Sequence, residues 1–491
     1  MVKSIQHFEE NSIKKFEKLE DEFFKNPKDF ASYVIGLTEE LHNLGLRMIQ
    51  ESLETMNQLL RDSSKRSENW TVDQHNAKQL ITSLGTVTYT KTLFKNKKTG
   101  ATEYLLDRIL GLDRHGRMTE DAFSNILEEA VQTSYRRGGE EVSLAAEVSK
   151  QTVKNKLHEL VFPQNEEVLD EKKVVDYLYI DADEDHVSLQ FREKKGDLVT
   201  NENHQKNNCI IAKLVYVYEG IEKEAPQSKR HKLVNPYYFC RVCDGEANIK
   251  FWDEIYRYLD NHYDLSKVRK IYINSDGGGW IKSGMRRIAG VVHVLDEFHL
   301  EKYMIKLTSH MQDSTDDARK EIYRCIRKGK KEEFKEIVER LRDCLKTEAG
   351  NKRLDDSRDY ILSNWTAARL RLLHREGIVG CSTEGHVSHI LSSRVSSRPM
   401  GWSITGISNM AELIAYHKNG GNMLKLVRYQ KQVKQLPMAA GAEYDVLSAG
   451  DILESEINRH GELGKYVESI THHMSLQSKK QAFFQAQIWG L

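Results

Sequence analysis

Apolar positions recur every three or four residues through much of the N-terminal region. In residues 8–62 the spacing of Phe16, Leu19 and Phe23, with charged residues between them, predicts amphipathic helix. The period shortens to two after residue 84, where SLGTVTYTKTLFKNKKTGATEYLL predicts a hairpin with a basic turn at 96–100. Residues 118–160 return to helical spacing, so this part of the chain is predicted to be mostly helical.

Two short helices are predicted within residues 134–160. The first contains Leu144 and Ala145, and Ser149 can cap the second, whose apolar positions are Val153 and Leu157. Such a pair is similar to a helix-turn-helix, whose second helix would face DNA. The polar residues that it would offer are Lys150, Gln151, Thr152, Lys154 and Asn155. Because any two short helices can imitate this motif, an ordinary helical pair is the alternative.

From residue 174 the pattern becomes that of an α/β fold. Strands are predicted at 174–182, 186–192, 209–218, 269–275 and 290–295, with a helix at 247–260. Three strands in succession, followed by alternating helices and strands, are the order of a ribonuclease-H-like sheet. Residues 300–372 are then helical and highly charged, which predicts an all-helical insertion into this core.

Composition narrows the class of protein only slightly. The 491 residues, 39% of them hydrophobic with a mean hydropathy of −0.61, predict several globular units and no membrane span. The 73 basic and 73 acidic residues cancel, which is neutral evidence on nucleic acid. Six cysteines are too few for a disulfide framework, and Cys240 and Cys243 make only half of a zinc site. The first residues lack the apolar core of a signal peptide, so a cytoplasmic location is expected.

Carboxylates stand at the ends of three separate elements. Asp181, Asp183 and Asp185 alternate at the end of the first strand and share a face if the strand continues that far. Asp276 follows strand 269–275 and precedes three glycines, while Glu384 begins a predicted helix. Three carboxylates on separate elements can ligate two Mg²⁺ ions. Each position alone has a plainer interpretation, namely a solvated strand end, a strand-to-helix loop and a helix-dipole contact.

Five segments taken in order resemble the ISLre-type transposases of bacterial insertion sequences, a family designated UPF0236 and related to the Mutator superfamily. The segments are YLYIDADEDHVSLQ, VYVYEGIE, IYINSDGGGWIKSG, VLDEFHLEKYM and STEGHVSHILSSRVSSRPMGWS. The resemblance implies a DDE transposase whose ribonuclease-H-like core is interrupted by a helical insertion before the last acid.

The resemblance also implies the roles of individual residues. The catalytic, metal-binding acids would be Asp183, Asp276 and Glu384, with Asp181 as the alternative first ligand. Asp296 and His299 match the D-x-x-H element of Mutator-type enzymes and would be accessory residues. The alternative for this pair is that Asp296 caps a helix and His299 packs against the sheet.

The implied chemistry needs Mg²⁺ or Mn²⁺, two ions in each active site, for cleavage at the transposon ends and strand transfer. The implied partners are DNA, as terminal inverted repeats and target, and further copies of the chain in a homodimer or higher oligomer on that DNA. The implied place is the bacterial cytoplasm, in association with the nucleoid. Arg394 and Arg398 would contact DNA phosphates. Trp402 would stack on an unpaired base, although core packing is the plainer role for a single Trp.

These expectations together divide the chain into six segments within an α/β fold class. The segments are an N-terminal helical region at 1–80, a hairpin and helix-turn-helix-like DNA-binding region at 81–165, the first part of a ribonuclease-H-like core at 170–299, a helical insertion at 300–375, the Glu-bearing part of the core at 376–415 and a C-terminal helical region at 416–491. Two alternatives for the function stay open: a metal-dependent DNA nuclease on the same fold, and a catalytically inactive DNA-binding relative.

Overall fold

The computed structural model describes residues 2–113, 115–164, 168–190, 208–381, 383–398 and 400–435. The chain divides into two compact units. The first includes residues 1–129 and 136–150, and the second consists of residues 130–135 and 151–430. Every residue of the candidate site discussed below belongs to the second unit.

The N-terminal elements are helices that lead into an antiparallel sheet. In chain order they are α1 (Val2–His7), α2 (Ile13–Lys25), α3 (Phe30–Asp62), α4 (Ser64–Asn69), β1 (Trp70–Thr82), β2 (Gly85–Asn96), β3 (Thr102–Glu103), α5 (Leu105–Ile109), α6 (Glu120–Gln132), α7 (Tyr135–Glu140) and α8 (Lys150–His158). The helical prediction for 8–62 is confirmed, and a π-helical turn at Phe8–Ser12 joins α1 to α2.

The predicted hairpin with its turn at 96–100 is present as β2 and β3, which pair antiparallel with Lys95 opposite Thr102. Strand β1, which was not predicted, pairs with the other side of β2 over its whole length, from Trp70 opposite Asn96 to Thr82 opposite Gly85. The helical prediction is therefore wrong for residues 70–80. The residues of β1 are mostly polar and exposed, so they lack the apolar alternation that marks a strand, and the pairing with β2 decides their conformation.

The helix-turn-helix prediction is half right. The second helix, α8, begins at Lys150 and buries Val153 and Leu157 as predicted. Leu144 and Ala145, however, lie outside helix α7 in a stretch of turns and bends, and Leu144 is 72% exposed. The Ser143 hydroxyl accepts a hydrogen bond from the Ala146 N–H (2.8 Å), a local bond that competes with helix formation.

The second unit contains the mixed sheet and most of the remaining helices. Its strands and first helices are β4 (Tyr177–Ser188), β5 (Cys209–Tyr218), β6 (Gly220–Lys223), β7 (His231–Val234), β8 (Tyr237–Arg241), α9 (Glu246–His262), β9 (Lys270–Ser275), α10 (Gly279–Met285) and β10 (Val291–Leu295). The helices that follow are α11 (Glu297–Thr308), α12 (Thr315–Lys328), α13 (Lys331–Arg342), α14 (Glu348–Ser363), α15 (Trp365–Leu373), α16 (Thr383–His386), α17 (Ser393–Val395), α18 (Ile404–Lys418) and α19 (Met423–Gln435). A 3₁₀ turn at Ser309–Ser314 precedes α12, and a π-helical segment at Val387–Ser392 joins α16 to α17.

Five strands form the central sheet in the order β10-β9-β4-β5-β8. Strands β4, β5 and β8 pair antiparallel, whereas β9 and β10 run parallel to β4. The fold class is therefore mixed α/β. The strand predicted at 174–182 and residues 186–188 of the one predicted at 186–192 form the single strand β4, while residues 191 and 192 lie outside the described residues. The third antiparallel strand, β8, was not predicted. The acidic residues do not break β4, because Asp183 and Asp185 stay in register opposite Leu214 and Ala212 of β5.

One face of this sheet is apolar and the other carries the acids. Leu178, Ile180 and Ala182 pack with residues of α9, among them Trp252 and Leu259. Side chains alternate along a strand, so burying this set directs the Asp residues of β4 to the opposite face. A register slip of one residue would exchange the two sets, which is why the apolar side determines where the acids point.

The helices from α11 to α15 pack around a hydrophobic core of their own, which includes Met304, Phe334 and Trp365. The helical prediction for 300–372 is confirmed. The division of the whole chain into six segments stays a prediction. Among the described residues, none of the helices is both long and apolar enough to span a membrane.

Candidate active site

The three acids predicted from the sequence line one cavity of about 450 Å³. Asp183 lies on β4, Asp276 directly follows β9, and Glu384 lies in α16. Strands β4 and β9 are parallel neighbours, so the residues near their carboxyl ends meet at one edge of the sheet. His299 and Lys302 from α11 also line this cavity, as do Glu184 and Asp185.

Asp183 is the most buried acid of the cavity, with 7% of its surface exposed. Its Oδ1 accepts a hydrogen bond from the Glu184 N–H (2.8 Å). Burial raises the pKa of Asp183 to about 7, and the negative charges of Asp276 and Glu384 add to the rise. The cavity therefore concentrates more negative charge than its own residues neutralise.

Asp276 is held by the loop that follows it and by the helices α11 to α15, called here the helical block. Its Oδ1 accepts from the Gly278 N–H (2.8 Å), and its backbone carbonyl accepts from the Tyr360 hydroxyl (2.7 Å) on α14. Gly277, between them, has a φ of +82°, a conformation that favours glycine. The helical block thus contacts the active-site loop directly.

The Asp296 and His299 pair combines the two roles that the sequence left open. Asp296 is buried and caps α11, because its Oδ1 accepts from the Phe298 N–H (2.8 Å). Its Oδ2 lies 3.4 Å from His299 Nδ1. Burial lowers the pKa of His299, but the hydrogen bond to Asp296 and the charges of Asp296, Asp183 and Asp276 outweigh burial and leave the pKa raised. His299 thus lines the cavity, and Asp296 contacts its ring from behind.

Asp181, the alternative first ligand, does not line the cavity. It is completely buried, and its carboxylate accepts hydrogen bonds from Asn274 Nδ2 (2.6 Å) and from the hydroxyls of Tyr216 (2.8 Å) and Tyr218 (3.1 Å). Burial raises the pKa of Asp181 to about 6, and these hydrogen bonds oppose the rise. The structure therefore favours Asp183 over Asp181. Asp185 does line the cavity, and its Oδ2 accepts from the Ser396 hydroxyl (2.5 Å).

The cavity fits a divalent cation in the type of its donors. Carboxylate oxygens are the ligands that Mg²⁺ prefers, and burial together with the charges of Asp276 and Glu384 raises the pKa of Asp183. As placed, however, no three His, Cys, Asp or Glu side chains in the described ranges form a closed group that could hold a metal ion. Binding would need the side chains to approach one another, and Glu384 is exposed and thus the freest of the three.

The cavity is also lined by residues that the sequence did not single out, among them Lys302 and Glu184. Lys302 lies one helical turn beyond His299 on α11, and this i,i+3 spacing was the signal that could have identified it. Glu184 was not predicted because alternation assigns it to the face opposite Asp183. Near the end of the strand it nevertheless reaches the cavity, and its Oε2 accepts from Trp280 Nε1 (2.6 Å).

The structure places the predicted DNA-contacting residues in different environments. Arg398, Lys150 and Gln151 are exposed, and Thr152 and Lys154 are half-buried. Arg394 and Trp402 are each only 6% exposed, which does not match the predicted contacts with a phosphate and an unpaired base. Arg394 Nε donates to the carbonyl of Ala130 (2.9 Å), with its guanidinium 4.9 Å from the Trp402 ring. Trp402 Nε1 donates to the carbonyl of Val395 (2.8 Å), as its plainer role in packing requires.

Replacing Arg394 with Met is expected to lower the free energy of unfolding by about 2–4 kcal/mol, because the Ala130 carbonyl would lose its donor in a buried site. Arg398→Met is the matched control, since Arg398 is exposed and four residues away. Urea unfolding followed by circular dichroism measures both. Equal stability of the two variants would show that the burial of Arg394 contributes nothing specific.

The sequence matches a family model described as "Uncharacterised protein family (UPF0236)" over residues 24–433. A UPF0236 protein of Caldanaerobacter subterraneus subsp. tengcongensis is 33% identical over 403 residues, which cover 82% of this chain and 81% of the relative. A second UPF0236 protein of that organism is 34% identical over 395 residues, covering 80% of this chain and 79% of the relative. The names of these two relatives join eleven and four locus designations.

A more distant relative comes from Streptococcus gallolyticus and is named UPF0236 protein in vanSb 3′ region. It is 24% identical over 410 residues, which cover 81% of this chain and 84% of the relative. Among solved structures, the chain is similar to the Drosophila P element transposase strand transfer complex, with 12% identity and a TM-score of 0.20 over 74% of this chain and 89% of that one. A TM-score this low supports no statement about fold or activity.

Proposed function

The chain belongs to the UPF0236 family, and from the site that it carries we propose that it is a DNA transposase of the DDE class. The reaction is cleavage at the ends of an insertion sequence, followed by strand transfer into target DNA. One observation carries the proposal: Asp183, Asp276 and Glu384, far apart in the chain, line a single cavity at one edge of the sheet.

The arrangement of the sheet supports a ribonuclease-H-like core for this activity. Three antiparallel strands, β4, β5 and β8, are followed in the chain by the parallel strands β9 and β10, with β4 in the middle of the sheet. The first acid then lies on the central strand and the second after its parallel neighbour. The helices α11 to α15 come between the second acid and the third, as the resemblance implies for the helical insertion.

The names of the relatives support a mobile element independently of the site. One relative's name joins eleven locus designations of a single organism, and another's joins four. A gene that inserts copies of itself accumulates in this way, whereas a housekeeping nuclease is not expected to. This observation favours the transposase over the nuclease alternative.

The three acids would hold Mg²⁺ or Mn²⁺, as a pair of ions. When bound, such ions would activate the oxygen that attacks a phosphodiester and would stabilise the negative charge on the oxygen that leaves. The protein's own contribution is to place the three carboxylates on separate rigid elements around one cavity. His299, oriented by Asp296, lines the same cavity and would donate a hydrogen bond to a non-bridging oxygen of the scissile phosphate.

The test uses the purified full-length protein, labelled DNA from both sides of its coding region and an unlabelled target plasmid, with Mg²⁺ or Mn²⁺. Products in which the labelled donor end is covalently joined to the target plasmid are the expected result. Cleaved donor ends without joined products would favour the nuclease alternative. Donor binding without cleavage, in both metals and with both ends present, would favour the inactive DNA-binding relative.

Lys302 is expected to bind a phosphate of the donor DNA. It is exposed at the cavity, and within the described ranges it forms no ion pair, its ammonium instead lying 5.8 Å from the Phe298 ring. Lys302→Gln should weaken donor binding about tenfold and reduce the slope of log affinity against log salt by about one. Fluorescence anisotropy over a salt series measures both quantities.

Lys306→Gln is the matched control for Lys302. Lys306 lies one turn further along α11, is half-buried and packs over the Tyr303 ring at 4.4 Å, outside the cavity lining. Its replacement should leave the salt slope unchanged. Equal salt slopes for the two variants would exclude a phosphate contact specific to Lys302.

A further inference from the structure

Each of the three acids has a buried polar residue one or two positions before it in the chain, and hydrogen bonds join these three residues. Asp181 precedes Asp183 by two positions, Asn274 precedes Asp276 by two, and Thr383 directly precedes Glu384. With Tyr216, Tyr218 and Arg371 they form one hydrogen-bonded group, called here the acid-linking cluster. All six are buried.

Asp181 is the centre of the acid-linking cluster. Its Oδ1 accepts from Asn274 Nδ2 (2.6 Å) and its Oδ2 from the Thr383 hydroxyl (3.4 Å), so one carboxylate joins β4, β9 and the start of α16. The hydroxyls of Tyr216 and Tyr218 on β5 donate to the same two oxygens. The carboxylate therefore touches every element that carries an acid of the cavity.

Arg371 extends the acid-linking cluster to the helical block. It lies on α15, and its Nη2 donates to Asn274 Oδ1 (2.6 Å). Its Nε donates to the Leu295 carbonyl at the end of β10 (2.9 Å), and its Nη1 to the Val379 carbonyl in the segment that leads to Glu384 (2.6 Å). The guanidinium of Arg371 thus connects α15, the last helix of the helical block, to strands β9 and β10 and to the segment that leads to Glu384.

A purely structural core would not need these groups. Buried charges cost desolvation free energy, and apolar side chains of similar volume often stabilise a fold as well or better. A fully hydrogen-bonded buried network fixes the relative positions of the residues that it joins. The residues that hydrogen-bond to metal ligands orient those ligands in the same way. Here the network ties together the backbone segments that carry the three acids, since Asp181 and Asn274 lie two residues before Asp183 and Asp276, and Thr383 adjoins Glu384.

We propose that the acid-linking cluster positions Asp183, Asp276 and Glu384 for metal binding, and that Arg371 makes the helical block a required part of the active site. The proposal rests on the proposed function, since it assigns the three acids to a metal. The members of the cluster are positioning residues, because they reach the cavity only through the acids.

The test measures Mn²⁺ binding to the full-length protein by electron paramagnetic resonance, without DNA or turnover. The Tyr216→Phe/Tyr218→Phe double variant keeps both rings and removes two donors to Asp181; it should bind Mn²⁺ about 10–100-fold more weakly than the parent. Tyr179→Phe is the matched control. Its hydroxyl donates to the Gly377 carbonyl (2.8 Å) and its ring stacks on Tyr218, but it makes no bond to the cluster.

Arg371→Lys is a second arm, which retains the positive charge but not the three-way fork of donors. It should weaken Mn²⁺ binding by a similar factor, and circular dichroism establishes that each variant is folded. If Asp183→Asn/Asp276→Asn still binds Mn²⁺ like the parent, the metal site and the proposed function are wrong. If that variant loses Mn²⁺ while the Tyr double variant and Arg371→Lys, both folded, bind like Tyr179→Phe, the positioning role alone is overturned.

Discussion

Strand transfer is expected to fall at least about 10³-fold when Asp183, Asp276 or Glu384 is replaced by its amide. An amide keeps the size and the hydrogen-bonding shape of the side chain but removes the negative charge that holds a divalent cation. The three carboxylates act on the same ions, so double variants should lose little more than single ones. Each variant should still bind donor DNA, because the proposed phosphate contacts of His299 and Lys302 are left unchanged.

The assay is the joining of labelled donor ends to a target plasmid, with anisotropy as the measure of DNA binding. Asp185→Asn is the informative neighbour: Asp185 lines the cavity but is already held by Ser396, so a loss below about tenfold is expected. Asp260→Asn, an exposed acid on α9, controls for removal of a charge. If Asp183→Asn is fully active and Asp185→Asn is not, the first metal ligand is Asp185 and not Asp183. Full activity of all three cavity variants would end the catalytic proposal.

The second large effect is expected at Gly277, next to Asp276. A methyl group there would lie 2.3 Å from Asn364 Oδ1, and the φ of +82° is one that alanine rarely adopts. Left-handed backbone costs a residue with a Cβ about 1–2 kcal/mol, and relief of the clash must move either the loop or the buried Asn364 side chain, whose Nδ2 donates to the Tyr360 carbonyl (3.2 Å). Because a displacement of about 1 Å can cost about 10²-fold in rate, Gly277→Ala should lower cleavage and joining by about that factor.

Gly279→Ala is the matched control within the same three glycines. Its built Cβ meets no atom within 4 Å, and it lies in the first turn of α10, where alanine is favoured over glycine. Thermal unfolding and donor joining are measured for both variants. Gly277→Ala should lose stability and activity, and Gly279→Ala should retain both. Equal behaviour of the pair would mean that the loop tolerates movement of Asp276 and that its geometry is not critical.

Some residues of the candidate site can be identified from the sequence pattern around them, and others cannot. Asp276 was recognisable because an alternating strand ends just before it and glycines follow, and Glu384 because it stands at the head of a helix. Lys302 and Glu184 were not recognised: the i,i+3 spacing from His299 is the local signal for Lys302, and strand alternation assigns Glu184 to the face opposite Asp183. Arg394 looked like a phosphate contact, and only its packing on Trp402 separates that role from a buried one.

The choice among the three Asp residues of β4 also needed the tertiary structure. Alternation places Asp181, Asp183 and Asp185 on one face, and it carries no information about what covers that face. The donors that surround Asp181 come from β5, β9 and α16, which are 35 or more residues away in the chain. Burial beneath these elements therefore distinguishes Asp181, which lies at the centre of a hydrogen-bonded network, from Asp183, which lines the cavity.

The sequence by itself determined the helical N-terminal elements, most strands of the mixed sheet, the helical block and the element ends at which carboxylates stand, because each depends on a period or a neighbour within a few residues. The tertiary structure alone decided that β1 is a strand, that β4 runs unbroken through its acids, and that β8 completes the sheet. It also decided that Asp181 and Arg371 connect the elements behind the cavity while Asp183 faces it. These outcomes depend on pairing and burial between distant segments, whose free energies no local pattern contains.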